Sequence, residues 1–67
     1  MIELAINGEA RTFPAPLTLT HLIESLSLAG KRIAIEKNGE IVPRSLHATT
    51  TLASGDRLEI VVAVGGG

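Results

Sequence analysis

The residues with the clearest chemical potential are the ones without side chains. Gly65, Gly66 and Gly67 follow Val64 directly at the end of the sequence. Glycine has nothing to pack and is the costliest residue to order. The ordinary account of terminal glycines is a frayed end. Such an end rarely follows a run as apolar as Ile60-Val61-Val62-Ala63-Val64 with no polar spacer between. A backbone stripped of side chains can thread a narrow channel, and three extended residues reach roughly 10 Å beyond Val64. A carboxylate on Gly67 would titrate at about 3.3–3.7 and be ionised at neutral pH. Held against the α-phosphate of ATP, with metal and positive charge supplied by a partner, it is a competent nucleophile. The resulting acyl-adenylate is reactive toward sulfur, and a thiocarboxylate is the product.

No side-chain constellation competes with the tail. The 67 residues include no cysteine, which removes disulfides, thiolate metal sites and a catalytic thiol. His21 and His47 cannot close a zinc site alone. Ser45, His47 and Asp56 have the types of a nucleophilic triad, but no serine stands in a nucleophile-elbow sequence. Gly55-Asp56 lacks the lysine and helix that would follow in a phosphate loop, and it reads as a turn. His21 falls beside an apolar helical stripe and is expected to be solvated. His47 is expected to make a local hydrogen bond.

Composition narrows the partners. Phe13 is the sole aromatic and the net charge is −1. A single-stranded nucleic-acid binder needs rings for bases to stack on, and a phosphate-tracking surface needs net positive charge. Nucleic acid is therefore not expected as a partner. Met1-Ile2-Glu3-Leu4 lacks the positive start and apolar run of a secretory leader. Ile60–Val64 is far too short to span a bilayer. No membrane partner is expected, and the expected compartment is the cytoplasm, which the absence of cysteine fits. The apolar share of 45% allows one small unstapled core.

The elements that must carry the tail can be read from periodicity. Ile2, Leu4 and Ile6 alternate with Glu3, Ala5 and Asn7, which is a strand with one buried face. Asn7-Gly8 signals a hairpin, Glu9–Phe13 is the returning strand, and Pro14 and Pro16 end it. Thr18 is a good N-cap. Leu19, Leu22, Ile23 and Leu26 then form an apolar helical stripe, giving a helix of about three turns with Gly30 as its expected stop. Residues 32–37 read as a third strand, Asn38-Gly39 as a second hairpin turn, and Glu40–Val42 as a short strand cut off by Pro43. Residues 44–51 show no period and read as an irregular crossing. Ser54-Gly55-Asp56 reads as a turn, and residues 57–64 as the last strand. One helix can cover only one face of a sheet. The expected class is α+β, a mixed sheet of four to five strands with one main helix on one face. The very apolar last strand is expected at the centre, parallel to the first.

Over its whole length the chain resembles the ThiS family, the sulfur carrier proteins of thiamin biosynthesis. The resemblance rests on Asn7-Gly8, on Thr18 with the leucine-rich helix, and on Asn38-Gly39-Glu40-Ile41-Val42-Pro43-Arg44. The Gly55-Asp56 turn and the valine-rich strand into the glycines complete it. It implies a β-grasp (ubiquitin-like) fold, with residues 1–67 as one domain and 65–67 as a flexible tail. It implies a protein cosubstrate rather than an enzyme, with no bound cofactor. A ThiF-like adenylyltransferase would use ATP and magnesium to adenylate Gly67. Sulfur would come by a cysteine desulfurase route, and the thiocarboxylate would deliver it to thiazole synthase, ThiG. ThiS-like chains usually end in two glycines after a variable residue. Gly66 and Gly67 carry that match, while Gly65 occupies the variable position.

The alternation also marks a docking face. If Ile2, Leu4, Ile6, Ile33, Ile35, Leu58, Ile60 and Val62 face the helix, then Ala5, Ala34, Val61 and Ala63 face away, with no second helix to cover them. A cluster of exposed small apolar residues is the expected partner surface, with Val64 leading into the tail. The resemblance adds Arg44 as a contact to an acidic partner surface. Two other functions share features with this reading. One is a sulfur carrier of the molybdopterin synthase small-subunit type, usually longer and with more helix between strands. The other is a passive ubiquitin-like interaction module whose tail has no chemistry.

Overall fold

The computed structural model describes residues 1–63. Strand β1 (Ile2–Ile6) and strand β2 (Glu9–Phe13) form a hairpin, followed by helix α1 (Leu19–Ser25). A second hairpin joins β3 (Ile33–Lys37) to β4 (Glu40–Val42), a short 3-10 helix spans Arg44–Leu46, and β5 (Arg57–Val62) is last. The five strands form one sheet in the order β2-β1-β5-β3-β4. β5 is central, parallel to β1 and antiparallel to β3. Strand number, central placement and parallel pairing all follow the sequence reading.

Both hairpin turns use left-handed backbone at two successive residues. Asn7 and Gly8 have φ of 50° and 85°, and Asn38 and Gly39 have 52° and 88°. These are type I′ turns, whose twist matches that of the flanking strands. They set the pairing of Ile6 with Glu9 and of Lys37 with Glu40, and so decide which side chains share a face.

Alternate residues of β1, β3 and β5 meet α1 in a single core. Leu4, Leu19, Leu22, Ile35 and Leu58 are its largest fully enclosed side chains. Ile2, Ile6, Leu17, Ile23, Leu52 and Ile60 complete it. Ile33 and Val42 pack on its margin, half-buried.

α1 is shorter than its apolar stripe suggests. It has seven residues, about two turns rather than three. Leu26 is the C-cap, and the chain reverses at Ser27, whose φ is 61°. The Leu28 N–H donates to the Ile23 carbonyl at 2.9 Å and the Ser27 N–H to the Glu24 carbonyl at 3.0 Å. This pair of bonds is the Schellman closure. The stop expected at Gly30 therefore falls three residues earlier, at a serine held in the conformation glycine usually supplies. Leu26 and Leu28 still pack on the core from the turn, so the apolar signal was about burial, not about helix length.

At the other end of α1, Thr18 caps as expected, its hydroxyl accepting from the His21 N–H at 3.3 Å. The remaining N-terminal donors find carbonyls in residues 44–51. Leu19 N–H donates to the Thr50 carbonyl at 3.1 Å and Thr20 N–H to that of His47 at 3.2 Å. The crossing that showed no period thus supplies acceptors that helix ends require.

Candidate functional site

The candidate site has three parts: the tail, the strand that launches it, and the open sheet face beside it. Val64, Gly65, Gly66 and Gly67 lie outside the described residues. The launch strand is β5, and both hairpin asparagines grip it. Asn38 Oδ1 accepts from the Arg57 N–H at 2.9 Å, and its Nδ2 donates to Asp56 Oδ1 at 3.0 Å. Asn7 Oδ1 accepts from the Ile60 N–H at 2.7 Å, and its Nδ2 donates to the Ile60 carbonyl at 3.1 Å. The sequence marked both asparagines as turn residues and gave no sign of this second task. Their partners lie 19 and 53 residues away, beyond the reach of any local pattern.

β5 starts from a turn over Ala53–Asp56, closed by the Asp56 N–H donating to the Ala53 carbonyl at 3.1 Å. Gly55 there has φ of 95°, a conformation a side chain would strain. Asp56 Oδ2 accepts from the Ala53 N–H at 2.9 Å, and Lys37 Nζ stands 4.0 Å away. Burial alone would push the Asp56 pKa up. The Ala53 N–H, the Asn38 amide and the Lys37 charge outweigh it and hold the carboxyl below its ordinary 3.8. A group with a folded pKa below its unfolded value adds stability above the unfolded value, and that stability is lost as pH falls through the folded one. Melting temperatures recorded downward from pH 5 should therefore fall more steeply below pH 3.8 in the parent than in Asp56→Asn. Parallel acid limbs would show that Asp56 contributes nothing to them.

The open face carries Ala34, Val61 and Ala63 as the alternation placed them, while Ala5 stands apart, level with Arg57 at the start of β5. Ala34 stands opposite Val61 in the β3–β5 ladder, with Val61 63% exposed. Ala63 is exposed, and its N–H donates to the Arg32 carbonyl at 2.8 Å. Ala5 is half-buried and stands opposite Ala10 of β2. Two features of this face went unread in the sequence. Ile41 of β4, 68% exposed, is opposite Glu36. A signal for it existed, since Val42 facing the core puts Ile41 outside. Glu36 is in turn opposite Glu59, and like charges directly opposed across strands are destabilising.

Arg44 is not part of this face. It begins the 3-10 helix and borders an open cavity of about 140 Å³ with Ile23, Leu28, Gly30, Lys31, Ile33 and His47. His47 is buried, and its Nε2 is 3.1 Å from the Val42 carbonyl, the local hydrogen bond expected of it. The Asp56 carboxylate is bonded at Ala53 and Asn38, so Ser45, His47 and Asp56 do not assemble as a triad. His21 is exposed. Among the described residues no group of three His, Cys, Asp or Glu side chains is placed to hold a metal ion. None of their helices is long and apolar enough to cross a membrane.

Comparison with known proteins places this geometry. The model of the ThiS family matches residues 4–67. A thiazole synthase of Paramagnetospirillum magneticum is 44% identical over 66 residues, covering 98% of this chain and 20% of the synthase. The chain thus spans about a fifth of the length of that relative. An uncharacterised protein of Porphyra purpurea, ycf40, is 39% identical over 98% of this chain and 93% of its own length. The crystal structure of a thiamine biosynthesis protein (ThiS) from Geobacter metallireducens superposes with a TM-score of 0.82 at 32% identity. That superposition covers 98% of this chain and all of the other. The β-grasp fold expected of the chain is therefore the fold found.

Proposed function

The chain belongs to the ThiS family, and from that premise we propose that it is the sulfur carrier protein for the thiazole moiety of thiamin. Gly67 presents the working carboxylate. An oxygen of that carboxylate attacks the α-phosphorus of ATP on a ThiF-like adenylyltransferase, which supplies magnesium and positive charge, and pyrophosphate leaves. The terminal sulfur of a persulfide formed by a cysteine desulfurase route then attacks the acyl carbon of the adenylate, and AMP leaves. A thiol of the partner proteins cleaves the resulting acyl disulfide, releasing the thiocarboxylate and forming a disulfide with the sulfur donor. The thiocarboxylate docks with thiazole synthase and gives up its sulfur. The protein is a cosubstrate in this scheme and not an enzyme. It binds no cofactor of its own, and it works in the cytoplasm.

The observation that carries the proposal is the course of β5. The central strand, gripped on both sides, leads through Ala63 and Val64 into three glycines. Its sheet face beside that exit is apolar and uncovered at Val61 and Ala34, with Ile41 exposed on the adjoining row next to Glu36. A passive module has no use for a side-chain-free end placed next to a docking surface. The opposed Glu36 and Glu59 on the same face favour a partner surface that sets a cationic group between apolar contacts. The synthase that contains a segment 44% identical to this chain supports thiazole synthase as the acceptor, since a segment joined to its partner works at high effective concentration. It also favours the thiamin pathway over a carrier of molybdopterin synthase type.

The test is adenylation itself. Incubated with a ThiF-like enzyme, ATP and magnesium, the chain should drive pyrophosphate release that depends on its own concentration. Release that is the same with and without the chain would defeat the proposal.

A further inference from the structure

We propose that Asn7 is a positioning residue for the reaction at the tail: it ties the β1-side edge of β5 at Ile60, past the point where backbone pairing with β1 ends. This inference rests on the carrier reading above and deepens it. The β1–β2 turn does not by itself require asparagine. Asp-Gly and Gly-Gly also make type I′ turns. What an ionised aspartate or a glycine in that turn lacks is a side chain that donates and accepts at once, and Asn7 does both to one residue, Ile60, at 3.1 and 2.7 Å.

The location gives that pair its consequence. The backbone pairing of β1 with β5 ends at Ile6 opposite Leu58, with the Asn7 N–H donating to the Leu58 carbonyl at 2.9 Å. The Asn7 side chain then supplies the next pair of bonds that the turning backbone no longer can. On this side of β5 it is the last tie among the described residues. Asn38 acts at the other end of the strand, on Asp56 and Arg57. From Ile60 to Gly67 there are seven residues (67 − 60), at most about 25 Å of extended chain.

β3 holds the other edge of β5, from Lys37 opposite Leu58 to Ile33 opposite Val62 and on to the Ala63–Arg32 bond. Loss of the Asn7 tie therefore leaves register and open face in place and frees only the β1-side edge. Reaction needs the attacking oxygen at about 3–3.5 Å from its target, and a displacement of about 1 Å can cost roughly a hundredfold in rate. A tie that holds the strand from which the carboxylate is reached acts on the reacting step, while the docking face stays as it was.

The test uses the full chain with the ThiF-like enzyme, ATP and magnesium. Asn7→Gly keeps the left-handed turn and removes both bonds. The expected result is a fall in kcat for pyrophosphate release of about tenfold or more, with KM for the chain unchanged. Asn7→Asp keeps the acceptor, loses the donor and should fall between. A merely structural role would not give this split, because a smaller folded fraction lowers the effective concentration of the chain and raises KM. Should Asn7→Gly fail to fold, Asn7→Asp decides by the same criterion. An unchanged kcat, or a loss wholly in KM, overturns the inference while leaving the carrier reading in place. A parent chain that releases no pyrophosphate overturns both.

Discussion

Removing Gly66 and Gly67 is expected to abolish thiocarboxylate formation and leave the melting transition unchanged. All the buried apolar side chains of the described residues lie between Ile2 and Ile60. Glycine itself buries no side chain and costs the most entropy to order, so the deletion should take nothing from the core. The new terminus at Gly65 would still be a carboxylate of ordinary acidity. It would end two residues short, about 7 Å of extended chain, which is far outside reacting distance of an adenylate centre. Chemistry should therefore fall to background while docking persists. Circular dichroism on heating, paired with the pyrophosphate assay, measures both halves. A truncated chain that still becomes adenylated would remove Gly67 from the mechanism, and one that unfolds would assign the glycines a structural task.

The second large effect is expected at the open face. Val61→Glu should weaken binding to both the adenylyltransferase and thiazole synthase by roughly a hundredfold or more, while the protein stays folded. Burying an unpaired charge in an interface costs several kcal/mol, and each 1.4 kcal/mol is a factor of ten in affinity. Val61 is 63% exposed in the free chain, so the folded protein tolerates a polar group there. The cost to the fold should be about 1 kcal/mol, from strand propensity and from a third carboxylate near Glu36 and Glu59. Val61→Thr, of similar shape and without charge, should bind nearly as the parent does. Titration calorimetry against each partner separates the outcomes. Normal binding of folded Val61→Glu to both partners would mean that the docking surface lies elsewhere.

Much of this arrangement was legible because it is written in short periods. Alternation in β1 and β5 sorts Leu4 and Leu58 from Glu3 and Glu59, and asparagine-glycine pairs mark the two type I′ turns. The end of α1 was misread for a physical reason. Gly30 carries the stronger local stop signal, and Leu26 continues the helical spacing. The chain nevertheless closes at Ser27, because that reversal returns Leu28 to the core. The grip of Asn7 and Asn38 on β5 was illegible, since a side chain bonding a backbone 53 residues on leaves no periodic trace. Ile41 was within reach, given that Val42 pairs with Ile35 of the core. The resemblance alone offers Arg44, as a contact to an acidic partner surface, and no periodicity says where it stands. The fold sets it at a cavity with Lys31 and His47.

The central claim is that the carboxyl group of Gly67 carries sulfur, and the intact mass of the protein purified from cells grown without thiamin tests it most directly. The account predicts a population whose last residue is Gly67 with one oxygen replaced by sulfur. A mature polypeptide that continues past Gly67 would contradict it. So would finding the unmodified acid alone after incubation with the activating enzyme, ATP, magnesium and a sulfur donor.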